Sequence, residues 1–378
     1  MKLKVTVLGA GFGGLELASV LSERIGDRLD LTLIDRNASF HFGYSKIDVM
    51  FGRTAPAEAK HGYSAIGKKG VRFVQATVTS IDPVGKTVVT SAGTFEADVL
   101  VVAMGADYDY TATPGLLEAG NEFYSMEGAE RIREILPHFK KGDIIVGVTS
   151  APFKCPPAPS ETALLLHDHL VRKGVRDDCS ISLVIPFPVP IPPSPDSSKV
   201  LIESFAERGI RFIANRRVER LDAAKKAAVL DDGTELPFDL FLGVPKHVAP
   251  AVVIESGLTE NGWIPVSRDD LQTRFPGVYA VGDVTSVGTP KAGVFAEGAA
   301  RIAAEAIIDR YEGKPFGDTY KGMGSCYLEF GEGKVAKVEV DFFSGEKPKG
   351  VHHEASLELN TDKKLFGSSR VERWFGAR

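Results

Sequence analysis

An α/β fold with two Rossmann-like domains and a small α+β C-terminal domain is what this sequence predicts. Three observations carry the prediction. A strand-like run at the N-terminus leads into G-A-G-F-G-G at residues 9–14. Far downstream a second short run, Val278–Val281, ends in Gly282-Asp283. Between them, from about residue 107 to 245, short apolar runs alternate with helix-length stretches. At 378 residues and 43% hydrophobic content, the chain can bury a large core in two or three domains.

Leu3–Leu8 (L-K-V-T-V-L) reads as a buried parallel strand. Gly9, Gly11 and Gly14 then open an amphipathic helix, Leu15–Ile25. A second strand, Leu29–Ile34, ends in Asp35, 21 residues after Gly14. Strand, glycines, helix, strand and acid at these distances form a dinucleotide fingerprint. The glycines allow a tight turn and bring backbone N–H groups up to a pyrophosphate at the helix N-terminus. The acid accepts a ribose hydroxyl. The glycine loop follows M-K-L-K too soon for a signal peptide, and a cytoplasmic location is expected, with at most peripheral contact at the inner face of a membrane.

The middle of the chain repeats the alternation without the glycines. Strand Ile144–Val148, helix Thr162–Leu170, strand Ser180–Ile185, helix Lys199–Arg208 and strand Ile210–Ile213 predict a second Rossmann-like unit. Hairpin strands around Arg217–Leu221 and Ala227–Leu230 follow, with Asp232-Gly233 at a turn. Where the nucleotide loop belongs stands T-S-A-P-F-K-C-P-P-A-P-S-E, residues 149–161. Side chains and prolines there block a pyrophosphate, and prolines remove N–H donors. The next strand ends in P-F-P-V-P-I-P-P (186–193), where an NAD site wants an acid and an NADP site an arginine. Both absences predict a domain that keeps the fold and has lost its cofactor. What remains is Cys155, at a helix entrance that favours the thiolate. Glu161, six residues on, is a candidate proton acceptor.

The Gly282-Asp283 pair is followed by P-K-A-G (290–293) and an Ala-rich helix, Val294–Tyr311. From about Lys314 come hairpin-like strands, with Cys326 opening the first. Cys179 has no motif around it and reads as structural. Three cysteines are too few for a disulfide framework, and no CxxC metal spacing occurs. A net charge of −5 gives no footprint for nucleic acid. No run approaches the ~18 apolar residues of a membrane span. Near the end, Val371, Trp374 and Phe375 share a helical face, with Arg370, Arg373 and Arg378 nearby. This stretch reads as short and glycine-interrupted, packing onto its own C-terminal domain in preference to serving as a weak interfacial anchor.

The G-x-G-x-x-G loop, V-L-V-V-A-M-G at 99–105 and V-Y-A-V-G-D at 278–283 together resemble the flavoproteins of the pyridine nucleotide-disulfide oxidoreductase superfamily, which have the glutathione-reductase type of fold. That resemblance implies FAD. It divides the chain into an FAD-binding domain in two segments (1–106 and 246–312), a Rossmann-like insert without an NAD motif (107–245) and a C-terminal domain (313–378). The cofactor contacts it implies are Gly9, Gly11, Gly14, Asp35, Arg36, Val78, Met104, Gly105, Gly282, Asp283 and Lys291, with no metal.

Adding F-K-C-P-P-A-P-S-E, G-S-C-Y at 324–327 and V-P-K-H-V-A-P at 244–250, the chain is similar to the sulfide:quinone oxidoreductase family, and to the flavoprotein subunit of flavocytochrome c sulfide dehydrogenase. The resemblance implies a redox-active disulfide between Cys155 and Cys326 beside the flavin. Sulfide attacks one sulfur to give a persulfide, and the electrons leave through the flavin to a quinone. Glu161 and His247 are the candidate proton carriers, with His167 and His169 behind them. Sulfide or a small thiol or persulfide is the implied substrate, a quinone or other electron acceptor the partner, and a homodimer is left open. The alternatives are a soluble persulfide or disulfide oxidoreductase, a flavocytochrome-type flavin subunit, a type II NADH dehydrogenase-like enzyme and a non-catalytic flavoprotein.

Overall fold

The computed structural model describes residues 1–376, so Arg378 lies outside the described residues. Two five-stranded parallel sheets carry the architecture. The first has the order Val278–Ala280, Val99–Val102, Leu3–Leu8, Leu29–Asp35, Val71–Gln75. Leu3 pairs with Leu29 and Val5 with Val99, so Gly9 and Asp35 leave adjacent strand ends at one edge. Two helices, Phe12–Ile25 and Gly293–Tyr311, pack together beside this sheet. Ala299, Ala300, Ala303 and Ala304 are fully or almost fully buried and let the helices approach. The second sheet has the order Asn121–Glu122, Leu240–Val244, Gly142–Val148, Cys179–Ile185, Ile210–Ala214. Short antiparallel sheets flank each: 78–96 beside the first, 218–237 beside the second. The C-terminal region is a three-stranded antiparallel sheet, Met323–Gly331, Lys334–Asp341 and Lys349–Ser356, followed by the helix Leu357–Phe375.

Two helices start earlier than their apolar patterns predict, and both shifts move functional residues. The first begins at Phe12, capped by Gly11, which draws Gly13 and Gly14 inside it. A Cβ on Gly14 would overlap the Gly9 carbonyl oxygen, so this glycine sets how closely helix and strand pack. The second runs over Ala158–Arg172 with a proline in its first turn, where a missing N–H costs nothing. Glu161 therefore sits in that first turn.

The tail corrects the sequence reading. It is one continuous 19-residue helix, not a short interrupted one. Ser356 caps it by accepting from the Leu359 N–H. Gly367 does not break it, because the helix needs a glycine there: a Cβ would overlap the Tyr44 hydroxyl. The aromatic face packs onto the first domain, not the C-terminal one. Trp374 is fully buried, edge-on to Phe12 at 5.3 Å and Phe40 at 5.4 Å. The buried Glu16 carboxylate accepts from Trp374 Nε1, Arg373 Nε and Arg301 Nε. Arg370 reaches Glu297. Glu16→Ala strips this cluster of its acceptor and leaves an indole N–H unpaired in the core. It is expected to destabilise the protein by roughly 3 kcal/mol, read as a fall in Tm. Among the described residues, no helix is long and apolar enough to cross a membrane.

Candidate functional site

A cavity of about 420 Å³ is walled by all three parts of the fold. The first sheet supplies the nucleotide cradle. Gly9, Gly11, Asp35, Met104, Gly105, Gly282 and Asp283 line it. Gly9 and Gly282 sit in the left-handed region, at φ +98° and +81°. No atom lies within 4 Å of where a Cβ on Gly11 or Gly105 would stand, so both present open backbone to the cavity. The Asp35 carboxylate is held at the strand end by the Ala10 and Asn37 N–H groups, each at 2.8 Å. These features fit a dinucleotide with its pyrophosphate at the Phe12–Ile25 N-terminus and a ribose on Asp35, and FAD satisfies both the cradle and the second Gly-Asp strand end.

Lys46, Lys154 and Lys291 stand around Asp283 and line the same cavity. Burial pushes the Asp283 carboxyl up against the pull of Lys154, Lys291 and Lys46. Lys291 is itself buried and donates to the Asp283 carbonyl oxygen and, at 3.3 Å, to that of Thr285. Burial brings its ammonium down to about 8. Lys154 donates to the Ala106 carbonyl at 2.6 Å.

Cys155 and Cys326, 171 positions apart, both line this cavity, and both are free thiols. Cys155 is placed by its loop. It has φ +49°, an uncommon backbone for a non-glycine residue, and its N–H donates to the Lys291 carbonyl at 2.7 Å. That bond ties the insert domain to the flavin domain at the cysteine. Cys326 is the fourth residue of Met323–Gly331, not its first, and this strand packs against the Ala158–Arg172 helix. The Ala158 N–H at the helix entrance pulls the Cys155 thiol down as the sequence predicts, but it is outweighed. Burial pushes the thiol far up, and the charges of Cys326 and Glu161 push the same way. Burial also brings Cys326 up to about 11.

Glu161 is buried, and its Oε1 accepts from the Glu329 N–H at 3.0 Å. Lys363 Nζ, from the C-terminal helix, lies 3.7 Å from Glu161 and 2.5 Å from Glu329. Arg53 bridges Glu329 and Asp48. Burial pushes the Glu161 carboxyl up to about 7 against the pull of Lys363. For Glu329, burial works against the charge, but Lys363 and Arg53 outweigh it and hold the carboxyl below its ordinary range. The result is a cluster of three carboxyls, Asp48, Glu161 and Glu329, and two cations, Arg53 and Lys363, of which Glu161 and Lys363 line the cavity with the cysteines.

Other expected residues fall elsewhere. Arg36 is exposed and pairs with Asp107 at 3.0 Å, and Val78 lies on an antiparallel strand; neither lines the cavity. His247 is buried behind the wall, edge-on to Tyr108 and Tyr124, with Nδ1 2.8 Å from the Pro245 carbonyl oxygen. Burial and the Lys154 charge bring it down to about 3, so it is neutral. His167 and His169 sit farther along the Ala158–Arg172 helix and are not in the cavity wall. Cys179 is buried at a strand start, facing the Lys140 carbonyl.

The residues that sequence reasoning missed are Lys46, Tyr124, Lys154 and Lys363. Lys154 adjoins Cys155 and was open to notice. Lys363 had one signal: with Gly367 and Trp374 it falls at helical spacing on one face, and these are the helix's three buried positions. In the insert domain, Phe153 is 2% exposed and stacks on Phe187 at 6.0 Å. These rings stand in the two loops where the sequence predicts no nucleotide site.

A family model described as pyridine nucleotide-disulphide oxidoreductase matches residues 3–148 and 168–304. The mitochondrial sulfide:quinone oxidoreductase of Dictyostelium discoideum is 24% identical over 99% of this chain and 87% of its own length. That of Mus musculus is 27% identical over 90% of this chain and 78% of its own. A type II NADH:quinone oxidoreductase of Staphylococcus saprophyticus is 31% identical, over 36% of this chain and 34% of its own length. The crystal structure of the sulfide:quinone oxidoreductase from Aquifex aeolicus superposes with a TM-score of 0.89 at 22% identity, over the whole chain and 92% of that structure, a likeness of fold.

Proposed function

Since this chain belongs to the pyridine nucleotide-disulphide oxidoreductase family, we propose that its cavity oxidises sulfide through Cys155 and Cys326 and delivers the electrons to a quinone. The protein is an FAD-dependent oxidoreductase; the identity of donor and acceptor is the proposed part. The observation that carries the reading is the meeting of two distant cysteines and a protonatable glutamate in the wall of the flavin cavity.

The residues divide the work. When Cys155 and Cys326 are joined, hydrosulfide attacks one sulfur, breaking their S–S bond and forming another. One cysteine becomes a persulfide and the other a thiolate. When the persulfide and thiolate close to a trisulfide that holds the substrate sulfur, two electrons and one proton leave; a thiolate acceptor that takes the middle sulfur as its own persulfide restores the Cys155–Cys326 bond. Bound FAD supplies the two-electron acceptor for that closure and the outlet toward the quinone. Glu161, with its carboxyl near neutrality, takes the proton. Lys363 and Glu329 connect it toward a wider cleft lined by Asp48, Arg53 and Lys363. The high thiols of the reduced pair mean that a thiolate is costly in this cavity without a partner, which favours its onward reaction.

The test is anaerobic stopped-flow absorbance of the purified protein mixed with sulfide, beside NADH. Rapid flavin bleaching by sulfide is expected, and its absence in Cys155→Ser. Bleaching by NADH and not by sulfide would overturn the reading. It would also mean that the Phe153–Phe187 stack opens. The pH dependence is a second expected result. Reduction speeds up as pH rises through about 7, where Glu161 loses its proton. Glu161→Gln removes that rise. The titration of sulfide is common to both proteins and cancels in the ratio of their rates.

A further inference from the structure

Tyr124 is buried, and its hydroxyl has no hydrogen-bond partner in the protein. It lines the same cavity as Cys155 and Cys326. Everything else about the residue is held firmly. Its N–H donates to Glu122 Oε2 at 2.7 Å. Its carbonyl oxygen accepts from Lys46 Nζ and, at 2.9 Å, from the Tyr108 hydroxyl. Its ring is set against Phe123 at 5.0 Å and edge-on to His247 at 5.2 Å. A phenylalanine would fill the same space without leaving a hydroxyl unpaired, so the hydroxyl needs a partner that enters the cavity.

We propose that the Tyr124 hydroxyl donates a hydrogen bond to the anionic sulfur carried at Cys155, and is thereby a further catalytic residue of the sulfur chemistry. This rests on the sulfide reading above. In the exchange step, Cys155 bears an anion whichever sulfur is attacked. If Cys326 takes the sulfide, Cys155 is the thiolate. If Cys155 takes it, the terminal sulfur of its persulfide carries the charge once the proton has left for Glu161. A phenol donates to either and keeps its own proton, since burial, with the Cys155 charge next, pushes its ionisation far up. The other charged and titratable groups acting on Tyr124 are Tyr108, Glu161 and Glu122, and on Cys155 they are Cys326, Glu161 and Lys46. The Ala158 N–H already reaches the Cys155 thiol, and Lys46 and Glu161 each hold a partner in the protein, whereas the Tyr124 hydroxyl holds none.

The experiment uses the FAD-loaded protein and Tyr124→Phe. With sodium sulfide under anaerobic conditions, the limiting rate of flavin reduction is expected to fall roughly tenfold, with FAD content and Tm unchanged. A second arm reads the hydrogen bond without turnover. In a Cys326→Ser background, the rate of Cys155 alkylation by iodoacetamide at one fixed pH, followed on the Cys155 peptide, is expected to fall about tenfold when Tyr124→Phe is added. An unchanged alkylation rate overturns the proposal whatever sulfide does. An unchanged limiting rate, in a protein that sulfide does reduce, overturns the catalytic role and leaves the sulfide reading standing. If sulfide does not reduce the wild-type protein, that reading fails, and the alkylation arm alone decides the Tyr124–Cys155 contact.

Discussion

Cys326→Ser is expected to lose sulfide-driven flavin reduction by roughly a thousandfold or more. A serine oxygen closes no S–S bond, so neither the attack by sulfide nor the regenerating closure has a partner for Cys155. The loss is confined to chemistry. Cys326 lies in the strand Met323–Gly331, on a different element from the glycine loops and the strand that carries Asp35. FAD content and Tm are therefore expected to match wild type. Thiol counting gives an independent readout. The chain has three cysteines and Cys179 is buried apart from the cavity. Denatured oxidised protein is expected to show one thiol, and protein reduced before denaturation three. Three thiols in both states would remove the redox pair from the mechanism. Cys179→Ser is expected to leave sulfide reduction in place.

Lys363→Met is expected to cost both stability and activity, and the two losses share one cause. Lys363 is 8% exposed and is the cation shared by Glu161 and Glu329. Removing it strands buried carboxylates, at a cost of about 3–5 kcal/mol. The pH dependence follows from the sign of the Glu161 shift. Burial already raises that carboxyl to about 7, and Lys363 is the strongest pull against the rise. Without the lysine the carboxyl moves higher. A group whose pKa is raised in the folded state favours folding when protonated, so that contribution is lost as pH climbs through the folded value. The variant's deficit in Tm is expected to widen from acid to alkaline pH. The midpoint of its pH–rate profile is expected to move above the wild-type midpoint near 7. A deficit that does not vary with pH would mean that Lys363 acts by packing alone.

Most of the flavin domain was legible because its signals are local. The strand Leu3–Leu8, the turn at Gly9, the helix after it and Asp35 lie within one short stretch, and each depends on neighbours in sequence. The same holds for Gly282-Asp283 and for the loss of a nucleotide loop at 149–161. What was misjudged involved distant neighbours. The tail was read as broken at Gly367, yet Gly367 is there because Tyr44, over three hundred residues earlier, occupies the Cβ position. The Cys155 thiol was expected to be acidic from its helix entrance. Burial, with the charges of Cys326 and Glu161, outweighs a helix end, because removing a charge from water costs more than a few aligned N–H groups return. His247 belongs to a distinctive V-P-K-H-V-A-P stretch but is spent as a neutral residue behind the cavity wall.

By itself, then, the sequence determined a dinucleotide cradle, a second Rossmann unit without one and two cysteines set in different elements, since turns, helix starts and strand alternation are decided over a few residues. Only the tertiary structure decided that Cys155, Cys326, Glu161, Tyr124 and Lys363 share one cavity, and which of them are charged. Those are matters of burial and of charges brought together from far along the chain, and the helical spacing that aligns Lys363 with Gly367 and Trp374 does not say which carboxylates that lysine meets.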